Sequence, residues 1–343
     1  MPRPFSICVA GGGSWGTALA HHLAGRGHDV ILWLRDSRIS QAINAGHENP
    51  RYLAGYPLHK NLAATTDPAA LAREIIVSAI PCQQLRAWLN AYKDRLSGGS
   101  VLVNAAKGLE TGNLALGHAV ADDVLGGAGS RGSAPKDGAP FRYAALSGPS
   151  FAAEVMKGLP TAVVLASRDA LLARHLQVIF SGPAFRCYAS TDIIGVEMGG
   201  ALKNVMAIAT GLCDGLELGL NSRAALITRG LAEMCRLGLA RGARERTFMG
   251  LSGLGDLILT CTGRLSRNRQ VGLRLGRGES IDAILHSLGM VAEGVKTTAA
   301  AYDLARRLHA EAPVISTVYS VVQMGHSPAK AVKTLMARAL REE

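Results

Sequence analysis

The sequence predicts an α/β chain: a doubly wound, mainly parallel sheet in the first part and an all-helical C-terminal part. Three observations predict it. Short apolar runs at residues 5–10, 29–34, 74–80 and 100–104 alternate with helical patterns, as in parallel strands joined by crossover helices. Gly11, Gly13 and Gly16 stand in G-x-G-x-x-G spacing where the first run ends and a helix begins. From about Asp192 onward helical periods dominate, broken only near residues 215–220, 250–255, 276–278 and Pro313. The expectation is a Rossmann-type domain over 1–190 and a helical domain over 191–343.

The glycine turn is the organising stretch. Phe5 to Ala10 reads as a strand, Thr17 to Leu23 as a helix closed by Gly25 and Gly27, and Asp29 to Leu34 as the next strand. In such a unit Gly11 permits the tight turn, Gly13 lets backbone approach a pyrophosphate, and Gly16 lets the helix pack closely on the strand. The pyrophosphate would rest on N–H groups at the helix start, so the unit predicts dinucleotide binding. Arg35, at the end of the second strand, suits the 2′-phosphate of NADP, whereas Asp36 suits a free 2′-hydroxyl if the loop turns one residue further. NADP is favoured and NAD stays open.

Composition bounds the rest. A chain of 343 residues, 48% hydrophobic, can bury a sizeable core. No apolar run is seen to approach the ~18 residues that cross a bilayer, and Met1-Pro-Arg-Pro leads directly into a strand, so a soluble, unexported protein without a membrane span is expected. Six cysteines are scattered through apolar contexts with no C-x-x-C pair; free buried thiols and no metal are expected. The net charge of +11 is dispersed and only 5% of residues are aromatic, which argues against nucleic acid as a partner. A positive field does suit a phosphorylated substrate and cofactor.

Taken in order, residues 37–70 read as polar and turn-rich, with Asn49-Pro-Arg-Tyr-Leu53 a loop of defined shape. Residues 83–96 read as a helix. The strand at 100–104 delivers Ala105-Ala-Lys-Gly-Leu-Glu110, which puts Lys107 on the C-terminal edge of the sheet, where ligands lie. Residues 126–140 are so rich in Gly, Ser and Pro that a mobile surface loop is expected. A strand over 142–146 runs into Ser147-Gly-Pro-Ser-Phe-Ala152; strands at 161–166 and 184–188 flank a helix at 170–180. A helical domain fused to such a sheet predicts an interdomain cleft for the reacting groups.

Two stretches of the helical part carry chemistry. In the helix around 195–211, Met198, Leu202, Val205 and Ile208 make an apolar face, while Lys203 shares a strip with Gly199, Gly200, Ala207 and Thr210. A lysine among small and apolar groups suits proton exchange near neutrality, and a solvated lysine is the plainer alternative. Asp256 follows a glycine-hinged turn, as a helix cap or an orienting carboxylate. Ser266-Arg267-Asn268 offers a hydroxyl, a guanidinium and an amide before a helix, which is good phosphate-binding chemistry. Val291-Ala-Glu-Gly294 is another turn, with Glu293 a partner for a nicotinamide or ribose.

Together these stretches resemble the bacterial-type NAD(P)-dependent glycerol-3-phosphate dehydrogenases. The motifs are Gly-Gly-Gly-Ser-Trp-Gly, Asn-Pro-Arg-Tyr-Leu, Ala-Lys-Gly-Leu-Glu, Ser-Gly-Pro-Ser-Phe-Ala, Gly-Gly-Ala-Leu-Lys-Asn-Val, Gly-Leu-Gly-Asp-Leu-Ile-Leu-Thr-Cys-Thr with Ser-Arg-Asn, and Val-Ala-Glu-Gly, in order from residue 7 to about 300. The resemblance implies reversible reduction of dihydroxyacetone phosphate to sn-glycerol 3-phosphate for phospholipid synthesis, in the cytoplasm, by a homodimer. It implies Lys203 as proton donor and acceptor, with Lys107, Gly148, Ser150, Asp256, Ser266, Arg267 and Asn268 on the substrate. It implies Gly11, Gly13, Ser14, Trp15, Gly16, Arg35, Lys107, Ala152, Arg267, Val291 and Glu293 on NADP(H) or NAD(H). Gly12 stands where the family often has alanine, a change expected to loosen the turn slightly. A related β-hydroxyacid or ketoacid dehydrogenase is the rival enzyme, and a non-catalytic dinucleotide sensor is the rival of another class.

Overall fold

The computed structural model describes residues 3–96, 99–126, 141–288 and 293–337. It divides into two compact units, Met1–Lys107 with Gly117–Ile193, and Gly108–Leu116 with Ile194–Glu343. The segment 108–116 thus leaves the sheet-bearing part and joins the helical one. Leu109, Leu114 and Leu116 enter the helical core, Arg241 donates to the Leu114 carbonyl at 3.4 Å, and Arg307 to that of Gly112 at 2.8 Å. The 126–140 loop expectation falls, apart from Gly126, outside the described residues.

The described strands of the first unit are β1 (Ser6–Ala10), β2 (Asp29–Trp33), β3 (Glu48–Asn49), β4 (Leu53–Pro57), β5 (Ala63–Thr65), β6 (Ile75–Ser78), β7 (Val101–Asn104), β8 (Arg142–Ser147), β9 (Thr161–Ala166) and β10 (Phe185–Ser190). Eight of them form one sheet in the order β10-β9-β8-β7-β6-β1-β2-β5. From β5 to β8 all pairs are parallel, and the run β5-β2-β1-β6-β7-β8 reproduces the Rossmann strand order. β9 pairs antiparallel to β8, and β10 then runs parallel to β9. Every residue of β6 and β7 is buried, because helices cover both faces of a doubly wound sheet.

Residues 37–70 hold more regular structure than their polarity suggests. Ser37–Gly46 is a helix whose N-terminus is capped by the Asp36 side chain, accepting from Arg38 N at 3.0 Å. Its Ile39 and Ile43, four apart, are buried in the sheet core. β3 and β4 then form a small antiparallel hairpin, and β5 closes the sheet edge. Two buried isoleucines among polar residues leave too faint a period to find this helix.

The order of strands reverses between β1 and β6, and the glycine turn sits there. Gly11 has φ +120°, and a Cβ on it would lie 2.8 Å from the Ala79 carbonyl oxygen. A Cβ on Gly16 would lie 1.9 Å from the Gly11 carbonyl oxygen, so the helix Ser14–Gly25 touches the turn backbone to backbone. Gly12 also departs from expectation: a Cβ there would meet Leu34 at 2.9 Å, so Leu34 fills the space and the turn is packed.

The second unit is built on the helix Ile193–Gly215, which is buried almost throughout. By length and mean hydropathy (1.2) it is long and apolar enough to cross a bilayer, which corrects the expectation that no apolar run approaches that length; 94% of its most apolar 18 residues are buried inside the protein, as in a core helix, so the expectation of no membrane span is not overturned. Helices Gly219–Ala240, Asp256–Thr262, Arg267–Gly276, Glu293–Arg307 and Pro313–Val322 surround it, and Met198, Leu202, Val205, Ile208, Phe248, Leu257 and Ile315 form its core. All six cysteines are free and buried; burial pushes the thiols of Cys8, Cys187 and Cys261 up to about 12.

Glu233, only 2% exposed, caps the helix Pro313–Val322, accepting from Val314 N at 2.6 Å and Ile315 N at 3.1 Å. Burial pushes its carboxyl up to about 7, against the pull of those two N–H groups in the other direction. A raised carboxyl favours the fold while protonated, so its contribution is complete below the ordinary carboxylate range and is lost as pH rises through about 7. Unfolding free energy measured in urea should therefore fall across this window, by at most about 1.4 kcal/mol per pH unit from this one group. Glu233→Gln should flatten that part of the profile, and an unchanged slope would exclude Glu233 as its source. Gly16→Ala should lower the unfolding free energy by about 1–3 kcal/mol or more, since only backbone can give way; an unaltered urea midpoint would contradict the packing described for the turn.

Candidate active site

In the first unit the glycine turn is held from outside by the Asn-Pro-Arg-Tyr-Leu motif. The fully buried Asn49 donates to the Gly12 carbonyl at 3.0 Å and to Thr17 Oγ1 at 2.9 Å, and accepts from Tyr52 N at 3.2 Å. Ser14 Oγ donates to the Tyr52 carbonyl at 2.9 Å. These bonds turn the Gly12 carbonyl and the Ser14 hydroxyl toward the motif and leave the helix start to present N–H groups. Gly13 is the N-cap and no side chain caps the helix; a Cβ on Gly13 would meet nothing within 4 Å. Of the three motif glycines, Gly11 and Gly16 answer to packing and Gly13 faces open space, the cradle that a pyrophosphate fits. Trp15 lies beside it, packed against the sheet core, its buried indole Nε1 without a hydrogen-bond partner among the described residues.

Arg35 is exposed just beyond β2. The Asp36 carboxylate accepts from Arg38 N at 3.0 Å and from the Arg38 guanidinium at 3.2–3.3 Å, with Arg51 at 3.8 Å. The Arg38 guanidinium holds this carboxyl below its ordinary range. The alternative in which Asp36 meets a ribose hydroxyl thus competes with a cap and two guanidiniums.

Lys107 follows β7 and Gly148 follows the neighbouring strand β8. The Lys107 ammonium donates to the Gly148 carbonyl at 3.0 Å, and Ser150 Oγ donates to the same oxygen at 3.0 Å. Gly148 has φ +136°, and a Cβ there would lie 2.9 Å from Val163 Cα, so both the turn and the neighbouring strand demand glycine. Ala152 opens the short helix Ala152–Met156 two residues later. Lys107, Gly148 and Ser150 are therefore one cluster at adjacent strand ends.

In the second unit, a Cβ on Gly199 would lie 2.4 Å from the Ser252 carbonyl oxygen, so the central helix meets the π-turn Leu251–Gly255 backbone to backbone. One helical turn further along each chain, Lys203 meets Asp256. The ammonium donates to Asp256 Oδ1 at 2.5 Å and to Thr260 Oγ1 at 2.9 Å, and Thr260 in turn donates to the Asp256 carbonyl at 2.6 Å. The side chains of Lys203 and Asp256 are 9% and 1% exposed. Lys203 is thus no solvated surface lysine, and Asp256 pairs with it, while Gly255 is the N-cap of the helix Asp256–Thr262. The small residues beside Lys203 make room for the protein's own chain: Thr210 bonds to the Ala207 and Cys261 carbonyls at 3.1 and 3.3 Å.

Glycines repeat the device at the other end of the helix. Cβ atoms on Gly211 and Gly272 would lie 2.1 and 2.0 Å from backbone carbonyls of the opposite helix, Arg269 and Ile208, so Ile193–Gly215 and Arg267–Gly276 cross in contact. The crossing sets Ser266-Arg267-Asn268 beside Asn204. Asn268 Nδ2 donates to Asn204 Oδ1 at 2.9 Å, and Asn268 Oδ1 accepts from Gly294 N at 3.1 Å. Ser266 is the N-cap of Arg267–Gly276, its hydroxyl accepting from Arg269 N at 3.3 Å, and Arg267 is exposed at the helix's first position. Glu293 opens the helix Glu293–Arg307 next to Gly294; Val291 lies outside the described residues. Sequence reasoning missed Thr260, Asn204 and Asn49. Thr260 and Asn204 had a signal, one helical turn after Asp256 and one residue after Lys203. Asn49 had none, because its partners, the Gly12 carbonyl and the Thr17 hydroxyl, lie 37 and 32 positions away. Among the described residues no group of three or more His, Cys, Asp or Glu is arranged to hold a metal ion.

Family models described as the N-terminus and C-terminus of NAD-dependent glycerol-3-phosphate dehydrogenase match residues 6–173 and 192–333. A glycerol-3-phosphate dehydrogenase [NAD(P)+] of Desulfovibrio desulfuricans is 62% identical over all of both chains. A crystal structure of glycerol-3-phosphate dehydrogenase from Coxiella burnetii is 38% identical, with a TM-score of 0.89 over 98% of this chain and 99% of that one. A ketopantoate reductase from Ralstonia eutropha, nearer the rival reading, shares the fold alone, at 14% identity and a TM-score of 0.56 over 95% of this chain and 99% of that one. The chain belongs to the NAD(P)-dependent glycerol-3-phosphate dehydrogenase family.

Proposed function

We propose that the chain reversibly reduces dihydroxyacetone phosphate to sn-glycerol 3-phosphate, with Lys203 as the group that gives and takes the proton at the substrate's C2 oxygen. The observation that carries this reading is the buried Lys203–Asp256–Thr260 constellation, with Ser266, Arg267 and Asn268 held next to the same helix, in a member of this family. When bound, the reduced nicotinamide supplies a hydride to C2. Lys203 protonates the oxygen as negative charge builds on it. Asp256 and Thr260 accept hydrogen bonds from the ammonium and so fix the direction of Nζ.

Arg267 and the N–H groups at the start of its ten-residue helix would hold the phosphate, with the Ser266 hydroxyl and Asn268 beside them. Lys107, Gly148 and Ser150 would contact substrate, and Lys107 and Arg267 the cofactor as well. Gly11, Gly13, Ser14, Trp15, Gly16, Arg35, Ala152, Val291 and Glu293 would form the cofactor site, Arg35 on the 2′-phosphate of NADP. The reading includes supply of glycerophospholipid synthesis in the cytoplasm and a homodimer, all of which lean on the family alone.

Lys203→Ala should lower kcat by ~10²- to 10⁴-fold. NADPH affinity should stay nearly unchanged in a fluorescence titration; lost cofactor binding instead would sink the assignment. Arg267→Ala should raise KM for dihydroxyacetone phosphate by about ten- to a hundredfold, the worth of a charge-assisted hydrogen bond. Followed by absorbance at the reduced-nicotinamide band, an unchanged KM would remove Arg267 from the phosphate site. NADPH and NADH run side by side, with and without Arg35→Ala, read the role of Arg35.

A further inference from the structure

The first unit carries a second concave site, at the end of the helix Ser14–Gly25 away from the glycine turn, roughly 18 Å along the axis. This cavity, about 420 Å³, lies between the last turn of that helix, the end of Ala152–Met156 and the strand-start of β10, and falls within the size range of small-molecule sites. His21, Arg26 and Lys157 line it together with the apolar Val155, Met156 and Phe185, and no carboxylate lines it among the described residues.

Arg26 is the informative residue. Its guanidinium makes no hydrogen bond or ion pair among the described residues, and Nε is buried without a partner. It is not needed to cap the helix: the backbone N–H groups of Arg26, Gly27 and His28 already bond to the carbonyls of His22, Ala24 and Leu23 at 3.0–3.4 Å. The buried Nε–H carries a desolvation cost that an acceptor entering the cavity would return, and an anion suits the guanidinium's charge. Lys157 adds a second cation. His21 Nδ1 accepts from His59 N at 3.0 Å, so the ring's proton sits on Nε2 as a donor.

We propose that this cavity binds a small organic anion, a phosphate or carboxylate head on Arg26, Lys157 and His21 with a short apolar body against Val155, Met156 and Phe185. None of its lining residues belongs to the glycine turn or to the Lys203 constellation, so a ligand there would act on the first unit without using the groups assigned to the reaction.

Calorimetric titration of inorganic phosphate and of hexyl phosphate tests it, at constant ionic strength, in protein carrying Arg267→Ala and saturated with NADPH. That background removes or fills the phosphate positions proposed for catalysis. One molecule of hexyl phosphate should bind, at least tenfold tighter than inorganic phosphate, and Arg26→Gln with Lys157→Gln should weaken it at least tenfold. The same pair of substitutions in otherwise unaltered protein should leave NADPH-dependent turnover within twofold. No saturable binding, or binding that ignores both substitutions, overturns the proposal; equal affinity for the two phosphates overturns the apolar part of the site. Should Arg26→Gln lower the urea midpoint, Lys157→Gln alone, at an exposed side chain, must still weaken hexyl phosphate at least threefold.

Discussion

The second unit depends on one constraint, that the helix Ile193–Gly215 is approached by other backbones with no side chain between. Cβ atoms on Gly199, Gly211 and Gly215 would lie 2.4, 2.1 and 2.3 Å from the carbonyl oxygens of Ser252, Arg269 and Leu273. Side chains of any size there would push the π-turn and the Arg267–Gly276 helix outward. The spacing then determines what meets what. Contact at Gly199 brings Asp256 to Lys203 one turn later, and contact at Gly211 and Gly272 brings Asn268 to Asn204. Interactions at two adjacent residues of one buried helix thus follow from backbone contacts made on either side of them.

The charges placed by that packing are costly ones. Removing an ammonium and a carboxylate from water carries a penalty that their attraction barely offsets unless the remaining donors and acceptors are also satisfied. Thr260 supplies that satisfaction for Lys203, as the ladder of Thr260 on the Asp256 carbonyl does for the helix. Such a pair contributes little net stability compared with apolar side chains of the same volume, which makes orientation of the lysine its physical use. A second internal carboxylate, Asp214, bonds Arg223 at 3.1 Å and Arg269 at 2.8 Å, joining three helices at the far end of the same core helix. Asn49 plays the comparable part in the first unit, where a neutral amide costs less to bury and holds the turn by bonds to the Gly12 carbonyl and the Thr17 hydroxyl.

Much of this was legible beforehand because it rests on local rules. Strands buried on both faces read as unbroken apolar runs, and so β1, β2, β6, β7, β8, β9 and β10 lie within a few residues of their expected places. The glycine spacing announced its turn because the tight geometry there excludes other residues. The small helix Ser37–Gly46 and strand β5 were illegible, since only Ile39 and Ile43 of the one and Ala64 of the other enter the sheet core. The segment 108–116 was assigned to the wrong neighbourhood for the same reason: three leucines do not reveal which of two cores they enter.

By itself, then, the sequence determined the class of fold, the turn at Gly11–Gly16 and the residue types that carry chemistry, because period, glycine spacing and side-chain chemistry are properties of short stretches. Only the tertiary structure decided that Lys203 is buried on Asp256 and Thr260, that Lys107 and Ser150 share the Gly148 carbonyl, and that Asn49 clamps the turn. Those pairings join residues between 37 and 57 positions apart, apart from Ser150 and its neighbour Gly148. They depend on which backbones come into contact, and no local propensity encodes that.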